Sequence, residues 1–281
     1  MEIQQIPVVW NPRPYLPPKS SKKKPQYDVT KIPIYPHGGF GIPTVATICY
    51  NYPLLNVFTP RPVREDFEAF DYRPASVLIM GHSFVVRLQQ FMGIHYGPQH
   101  NMGLSCKTAT VQFHGVGGRT VKKFEDNDLI VINKCRPDIL YLELGTNDLS
   151  LPDSDPESVG SQISSLVWKC KANGAKFVIV GQTIPREKPG NVYYAQRYPI
   201  DSEKFRYDCV MMNEHLCHAL DPENIPDAMY WRHIGFWNNT AQVVRWDDGV
   251  HLTEWGNQCY YKSIRGALVH AIRKLDEHLR I

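Results

Sequence analysis

The chain has 281 residues, a hydrophobic fraction of 43% and a formal net charge of +3, enough for one large domain or two small ones. So small a charge argues against a dedicated nucleic-acid-binding protein, which usually carries a concentrated basic face. The basic run over residues 19–24 is interpreted as a solvated tail, with a localisation or polyanion-binding signal as the alternative.

Residues 1–74 differ in composition and apolar pattern from the rest of the chain. They are crowded with prolines and show no sustained apolar period. Proline removes backbone donors and restricts the residue before it, so long helices and central strands are not expected here. We predict an extended or disordered arm over residues 1–74, followed by a folded domain over residues 75–281.

From residue 75 onward, short apolar runs alternate with helical patterns. The runs predict strands, because near-continuous apolar segments suit strands buried on both faces. The predicted strands cover residues 76–80, 108–113, 138–144, 176–181 and 229–234. The predicted helices cover residues 85–91, 121–133, 155–172, 201–220 and 254–279.

This alternation predicts an α/β fold, namely a three-layer α/β/α sandwich with a five-stranded parallel sheet of the flavodoxin-like type. Active sites in such folds lie at the carboxyl ends of the strands. Ser83, the glycine-rich stretch over residues 115–118, and Asn147 each follow a predicted strand. We therefore expect these three positions to meet at one edge of the sheet.

The cysteines and the amino-terminal sequence indicate the cellular compartment in which the protein is expected. The seven cysteines are scattered and contain no Cys-x-x-Cys pair, which argues against a disulfide framework and a zinc ribbon. The first residues lack the apolar stretch of a signal peptide, and no uncharged apolar run is long enough to span a bilayer. We expect a cytoplasmic protein with reduced thiols and no membrane span.

Three side chains supply the groups of a nucleophilic hydrolase. Asp248 lies three residues before His251 and can orient its imidazole within one short turn, although Asp247 competes for this role. Ser83 follows a strand and can present its hydroxyl there. Each residue alone also has an ordinary explanation: Ser83 as a helix N-cap, Asn147 as a turn residue, His251 as a surface or core histidine.

Four blocks of the sequence together resemble a known family. They are Gly81-His82-Ser83, Gly118 with Arg119-Thr120, Gly145-Thr146-Asn147-Asp148, and Asp248-Gly249-Val250-His251-Leu252 with Gly256. In this order they resemble the blocks of the SGNH hydrolases, also called GDSL-type esterases and lipases. The resemblance covers roughly residues 75–275.

The resemblance implies a role for each block. Ser83 would be the nucleophile, His251 the general base and Asp248 its orienting carboxylate. The Ser83 amide, Gly118 and Asn147 would form the oxyanion hole, with Gly117 as an alternative to Gly118. No metal or organic cofactor would be needed. The substrate would be a small-molecule, glycan or lipid ester, cleaved through an acyl-enzyme.

The first block departs from the family, which usually has aspartate where this chain has His82. Glu143 lies in the third predicted strand, where an unpaired buried carboxylate is costly. Since the first and third strands are often neighbours in this fold, we hypothesise that Glu143 pairs with His82. Both residues are therefore supporting candidates for the site.

Other interpretations of the chain remain. The domain could keep the fold without catalysis and bind a partner or polyanion through its arm, in association with a mobile element. A transacylase would share the same site. A metal site could involve His215, Cys217 and His218 with Cys209, although an amphipathic helix explains the same residues.

Overall fold

The computed structural model describes residues 73–97, 100–197, 200–236, 243–244 and 247–279. The arm predicted over residues 1–74 lies outside the described residues except for its last two positions, and stays a prediction. None of the helices in the described part of the chain has the length and apolar character needed to cross a bilayer.

Strands and helices alternate along the described chain, as the sequence predicts. The strands are β1 (Ala75–Gly81), β2 (Ala109–Gly115), β3 (Ile139–Glu143), β4 (Phe177–Gly181) and β5 (Ala228–Trp231). The helices are α1 (Ser83–Tyr96), α2 (Val121–Asn127), α3 (Leu129–Cys135), α4 (Pro156–Ala172), α5 (Val192–Arg197), α6 (Ser202–Ala219) and α7 (Glu254–Leu279).

These five strands form one parallel sheet with the order β2-β1-β3-β4-β5. The strand order changes direction between β1 and β3, because β2 lies on one side of β1 and the later strands lie on the other. Ligands of open parallel sheets bind outside the carboxyl ends of the strands at such a point. The predicted flavodoxin-like, three-layer α/β/α class is confirmed.

Two apolar cores cover the two faces of the sheet. Alternate residues of the central strands, such as Ile79 and Tyr141, pack with α1 and α7 in one core. Their neighbours Met80 and Leu142 pack with α2, α3, α4 and α6 in the other. Side chains that alternate between two buried faces explain why these strands read as continuous apolar runs.

Three predicted elements differ from the structure. The helix predicted over residues 85–91 begins at Ser83 and extends to Tyr96. The helix predicted over residues 121–133 is divided into α2 and α3 at Asp128, whose buried carboxylate accepts hydrogen bonds from Arg119. The strand predicted over residues 229–234 ends at Trp231. It ends there because the backbone N–H of His233 donates to the Gln182 side chain, 3.0 Å away, and so leaves the sheet ladder.

Candidate active site

Ser83 is the first residue of α1 and directly follows the turn at the end of β1. The turn is close to β3, since the His82 N–H donates to the Glu143 carbonyl oxygen at 3.3 Å. A Cβ atom at Gly81 would clash with the same carbonyl oxygen, so the close approach requires glycine. This packing fixes Ser83 at the change in strand order between β1 and β3.

Asp248 and His251 lie in a short loop before α7. One carboxylate oxygen of Asp248 accepts the backbone N–H groups of Val250 and His251, at 2.9 and 2.8 Å. The other lies 2.9 Å from His251 Nδ1. Asp248 is thus bonded both to the loop and to the imidazole, and Asp247 does not take this position.

The imidazole of His251 connects the loop to Ser83. Its Nε2 lies 3.1 Å from Ser83 Oγ. With the Nδ1–H donated to Asp248, Nε2 carries the lone pair that faces the serine hydroxyl. Ser83, His251 and Asp248 therefore form one continuous hydrogen-bonded chain, in the order that the sequence predicts.

The carboxyl group of Asp248 is ionised over the ordinary pH range. Burial alone would raise its pKa, but the hydrogen bonds from the His251 side chain and from the backbone N–H groups of His251 and Val250 outweigh burial. Together they hold the pKa of Asp248 at about 2. A carboxylate in this position favours a proton on Nδ1 and stabilises an imidazolium when one forms.

The loop that carries Asp248 is bonded to the segment after β4. The Glu187 N–H donates to the Gly249 carbonyl at 2.8 Å, and the Asn191 N–H donates to the Asp247 carbonyl at 3.2 Å. Gly249 has a φ of +66°, and a Cβ there would clash with the Glu187 carbonyl oxygen. Glycine at this position allows the two segments to touch.

The candidate oxyanion-hole residues follow β2 and β3. Gly118 is exposed, has a φ of +69°, and has open space where a Cβ would project. Gly117 is likewise exposed with open space beside it. The positive φ gives Gly118 a conformational reason to be glycine.

Asn147 links the second and third sequence blocks. Its Nδ2 donates to the Arg119 carbonyl oxygen at 2.8 Å. The next residue strengthens the link, because the Val121 N–H donates to Asp148 Oδ1 at 2.9 Å. Arg119 itself is held by two hydrogen bonds of 2.7 Å to buried Asp128. The segments after β2 and β3 are thus held together at the carboxyl edge of the sheet.

Sequence reasoning missed Arg186, which lies after β4. Its Nη2 donates to Asn147 Oδ1 at 2.8 Å, and its Nε donates to Thr146 Oγ1 at 3.1 Å. Burial lowers the pKa of Arg186 to about 10, which still leaves the guanidinium cationic at neutral pH. The rule that pointed to Ser83 and Asn147, polar residues after a strand's carboxyl end, would have found it if applied to the fourth strand.

The predicted pairing of His82 with Glu143 is wrong. Glu143 Oε2 accepts hydrogen bonds from Tyr260 at 2.8 Å and Tyr141 at 3.1 Å, and lies 3.5 Å from His233 Nε2. Gly181 leaves the room for this group, since a Cβ there would lie 2.5 Å from Glu143 Oε2. The carboxylate therefore has its partners on the α7 side of the sheet.

His82 is instead a buried neutral histidine. Its Nδ1 accepts the Phe84 N–H at 3.3 Å, and its Nε2 is buried without a hydrogen-bond partner among the described residues. Burial lowers the pKa of His82 to about 4, against the opposing effect of Glu143, with Arg186 and His251 adding to the decrease. The ring caps α1 and adds no positive charge beside the serine at neutral pH.

The alternative metal site is not assembled. His215 Nε2 lies 3.3 Å from Ser161 Oγ, and Cys209 is buried in the core. Within the described ranges, no group of three or more His, Cys, Asp or Glu side chains is arranged to hold a metal ion.

Comparison with solved structures identifies similar folds. A GDSL-like lipase from Bacteroides thetaiotaomicron is 17% identical, with a TM-score of 0.50 over 71% of this chain and 92% of its own. A carbohydrate acetylesterase family member from Sinorhizobium meliloti is 14% identical, with a TM-score of 0.51 over 70% of this chain and 99% of its own. No protein-family model and no curated protein matches the chain. The predicted resemblance is confirmed for the fold.

Proposed function

Because the chain has the SGNH hydrolase fold, we propose that it is a serine hydrolase that cleaves carboxylic esters through an acyl-enzyme. The observation that carries the proposal is the hydrogen-bonded chain from Asp248 through His251 to Ser83. A serine that is merely a helix cap has no need of an imidazole 3.1 Å away that is itself oriented by a carboxylate.

Acylation begins at Ser83. Its Oγ attacks the ester carbonyl carbon while His251 Nε2 takes the hydroxyl proton, and the carbonyl π electrons move onto oxygen. Asp248 stabilises the imidazolium that results. The tetrahedral intermediate collapses, the ester C–O bond breaks, and the imidazolium gives its proton to the departing alcohol. The acyl group is then bonded to Ser83.

Deacylation repeats these steps with water. His251 Nε2 takes a proton from water, the hydroxide oxygen attacks the acyl carbon, and Ser83 Oγ leaves with the proton returned by the imidazolium. The products are a carboxylic acid and the regenerated serine. Because the base must be neutral in both steps, the rate is expected to rise from acid to neutral pH.

The oxyanion is stabilised by donors from three strand ends. The backbone N–H of Ser83, the N–H of Gly118 and the Asn147 Nδ2 are the proposed donors. The exposed position and positive φ of Gly118 support its role, because a bare backbone there can be approached by substrate. Loss of one such donor typically costs about 10²–10³-fold in kcat.

The substrate class is a small-molecule or carbohydrate ester. The segment after β4, which is bonded to the Asp248 loop through Asn191 and Asp247, continues into α5. Val192 and Tyr193 at the start of α5 are exposed, so this segment presents apolar and aromatic side chains to solvent. Such surroundings suit an acetylated sugar or a short acyl ester. The description of the Sinorhizobium structure as a carbohydrate acetylesterase agrees with this choice.

The proposal is tested by covalent labelling with a fluorophosphonate and by turnover of a panel of acetyl and short-chain esters. Wild type should be labelled and should hydrolyse at least one ester, and Ser83→Ala should lose both properties. Ser164→Ala, a change to a serine of α4 whose hydroxyl donates to the Gly160 carbonyl, is the matched control. Folded wild type that is neither labelled nor active would instead indicate a binding domain, and preferential transfer to an added alcohol would indicate a transacylase.

A further inference from the structure

Arg186 contacts the proposed oxyanion hole without being part of it. Its guanidinium bridges two adjacent residues of the third block, Thr146 through Nε and Asn147 through Nη2. The Cζ of Arg186 lies over the buried Phe205 ring, 5.4 Å from the ring centroid. Three contacts therefore fix the position of this cation.

The bond from Arg186 and the bond to the Arg119 carbonyl together determine which way the Asn147 side-chain amide points. An amide has one oxygen that accepts and one nitrogen that donates twice, and the two ends can exchange by rotation. Arg186 can only donate, so Oδ1 must face the guanidinium and Nδ2 must face away. One Nδ2 hydrogen is donated to the Arg119 carbonyl, which leaves the second for an oxyanion.

We propose that Arg186 is a positioning residue that locks the Asn147 amide with Nδ2 toward the oxyanion and strengthens that donor by withdrawing electrons through Oδ1. This inference rests on the proposed function. A cation bonded to one end of an amide polarises it and makes the N–H at the other end a stronger donor.

The charge of Arg186 strengthens its effect through Asn147. Both of its hydrogen bonds within the described part of the chain go to neutral oxygens, and neither neutralises the charge. Asp248 acts on it only through longer-range attraction. A fixed cation bonded to the residue that would contact the oxyanion favours the charge that develops in the transition state and not the neutral ester.

A double-mutant cycle in the full chain tests whether Arg186 acts through Asn147. Arg186→Gln should lower kcat about 10–100-fold, less than the 10²–10³-fold that loss of an oxyanion-hole donor itself typically costs, and should change KM little. In an Asn147→Ala background the same substitution should lower kcat by less than about 3-fold. An equal loss in both backgrounds, or no loss in the single variant, overturns the proposal.

Two further variants separate positioning from folding. Thr146→Val removes one hydrogen-bond partner of the guanidinium while keeping the charge of Arg186. It should lower kcat, but by less than Arg186→Gln does. Arg265→Gln changes a half-buried arginine that donates to the Gly103 carbonyl, and should leave kcat unchanged. Thermal unfolding of each variant identifies any loss that reflects misfolding.

A second measurement does not depend on turnover. In a ¹H–¹⁵N spectrum, the side-chain amide pair of Asn147, assigned by its disappearance in Asn147→Asp, should shift or broaden in Arg186→Gln and not in Arg265→Gln. An unchanged pair overturns the orienting role. If wild type hydrolyses no ester and does not react with a fluorophosphonate, the proposed function fails, and the amide spectrum still decides the orientation.

Discussion

His251 Nε2 lies 3.1 Å from Ser83 Oγ, although 168 positions separate the two residues in the chain. The contact is possible because β1, an interior strand between β2 and β3, ends at the same edge of the sheet that the loop before α7 reaches. The base and the proposed nucleophile are therefore brought together by the order of the strands and not by any local segment.

The carboxylate of Asp248 is expected to be essential for turnover. Asp248→Asn should lower kcat about 10⁴-fold, because an amide can donate to Nδ1 and favour the wrong imidazole tautomer. The variant should retain its fold and its affinity for ester. Steady-state kinetics checks this, with Asp247→Asn as the matched control. Equal losses in the two variants would contradict the assignment of Asp248.

The burial of His82 predicts a loss of stability in mild acid. Its pKa is about 4 in the folded chain, against about 6.5 when unfolded. Between these values the unfolded chain binds more protons, so stability falls as pH falls from 6.5 to 4, by about 3 kcal/mol. Because Asp148 has the opposite effect between pH 4 and 6, urea unfolding isolates the His82 contribution as the difference between wild type and a variant that lacks this histidine.

His82→Asn removes this titration while keeping an acceptor for the Phe84 N–H. The stability of wild type relative to His82→Asn should therefore fall by about 3 kcal/mol as pH falls from 6.5 to 4. His270→Asn, a change at an exposed histidine, should leave the wild-type pH dependence in place. A wild-type dependence that persists in His82→Asn would refute the burial argument.

Asp148 is expected to change the pH dependence of stability in the direction opposite to His82. Burial raises its pKa to about 6, despite hydrogen bonds from backbone N–H groups that lower it. The folded chain therefore binds more protons between pH 4 and 6, and its stability decreases as pH rises through that range. Asp148→Asn should gain about 2–3 kcal/mol over wild type between pH 4 and 7 in urea unfolding. The exposed Asp153, changed to Asn, should show no such gain.

Tyr260 is expected to stabilise the fold through Glu143. Its hydroxyl donates to the buried carboxylate at 2.8 Å, and both side chains are almost fully inaccessible to solvent. Tyr260→Phe should lower the free energy of unfolding by about 1.5–3 kcal/mol, since a hydrogen bond to a buried charge is lost and water cannot replace it. Tyr261→Phe, at the next position of α7, should cost less in the same denaturation experiment.

The sequence predicted the strands and the bond between Asp248 and His251 because both follow from local signals. Apolar runs that end in glycine indicated the strands, and the three-residue spacing of Asp248 and His251 indicated a turn that bonds the two. Placing Ser83 and Asn147 at strand ends then brought them to the correct edge.

The contacts that escaped prediction depend on packing between distant elements. The partners of Glu143 were not foreseen because Tyr260 comes from α7 and His233 from beyond β5, neither of which is near it in the chain. The position of Arg186 depends on the loop after β4 and on Phe205 of α6. The break at Asp128 follows from its buried bond with Arg119, which helical periodicity does not reveal.

The backbone bonds between the segment after β4 and the loop of Asp248 also constrain how substrate preference can change. Glu187 and Asn191 donate to the loop that holds Asp248 and His251. Insertions or deletions between these two residues would displace both members of the proposed triad. For the proposed hydrolase, we expect variation in substrate range to be better tolerated beyond Asn191, where Val192 and Tyr193 of α5 are exposed.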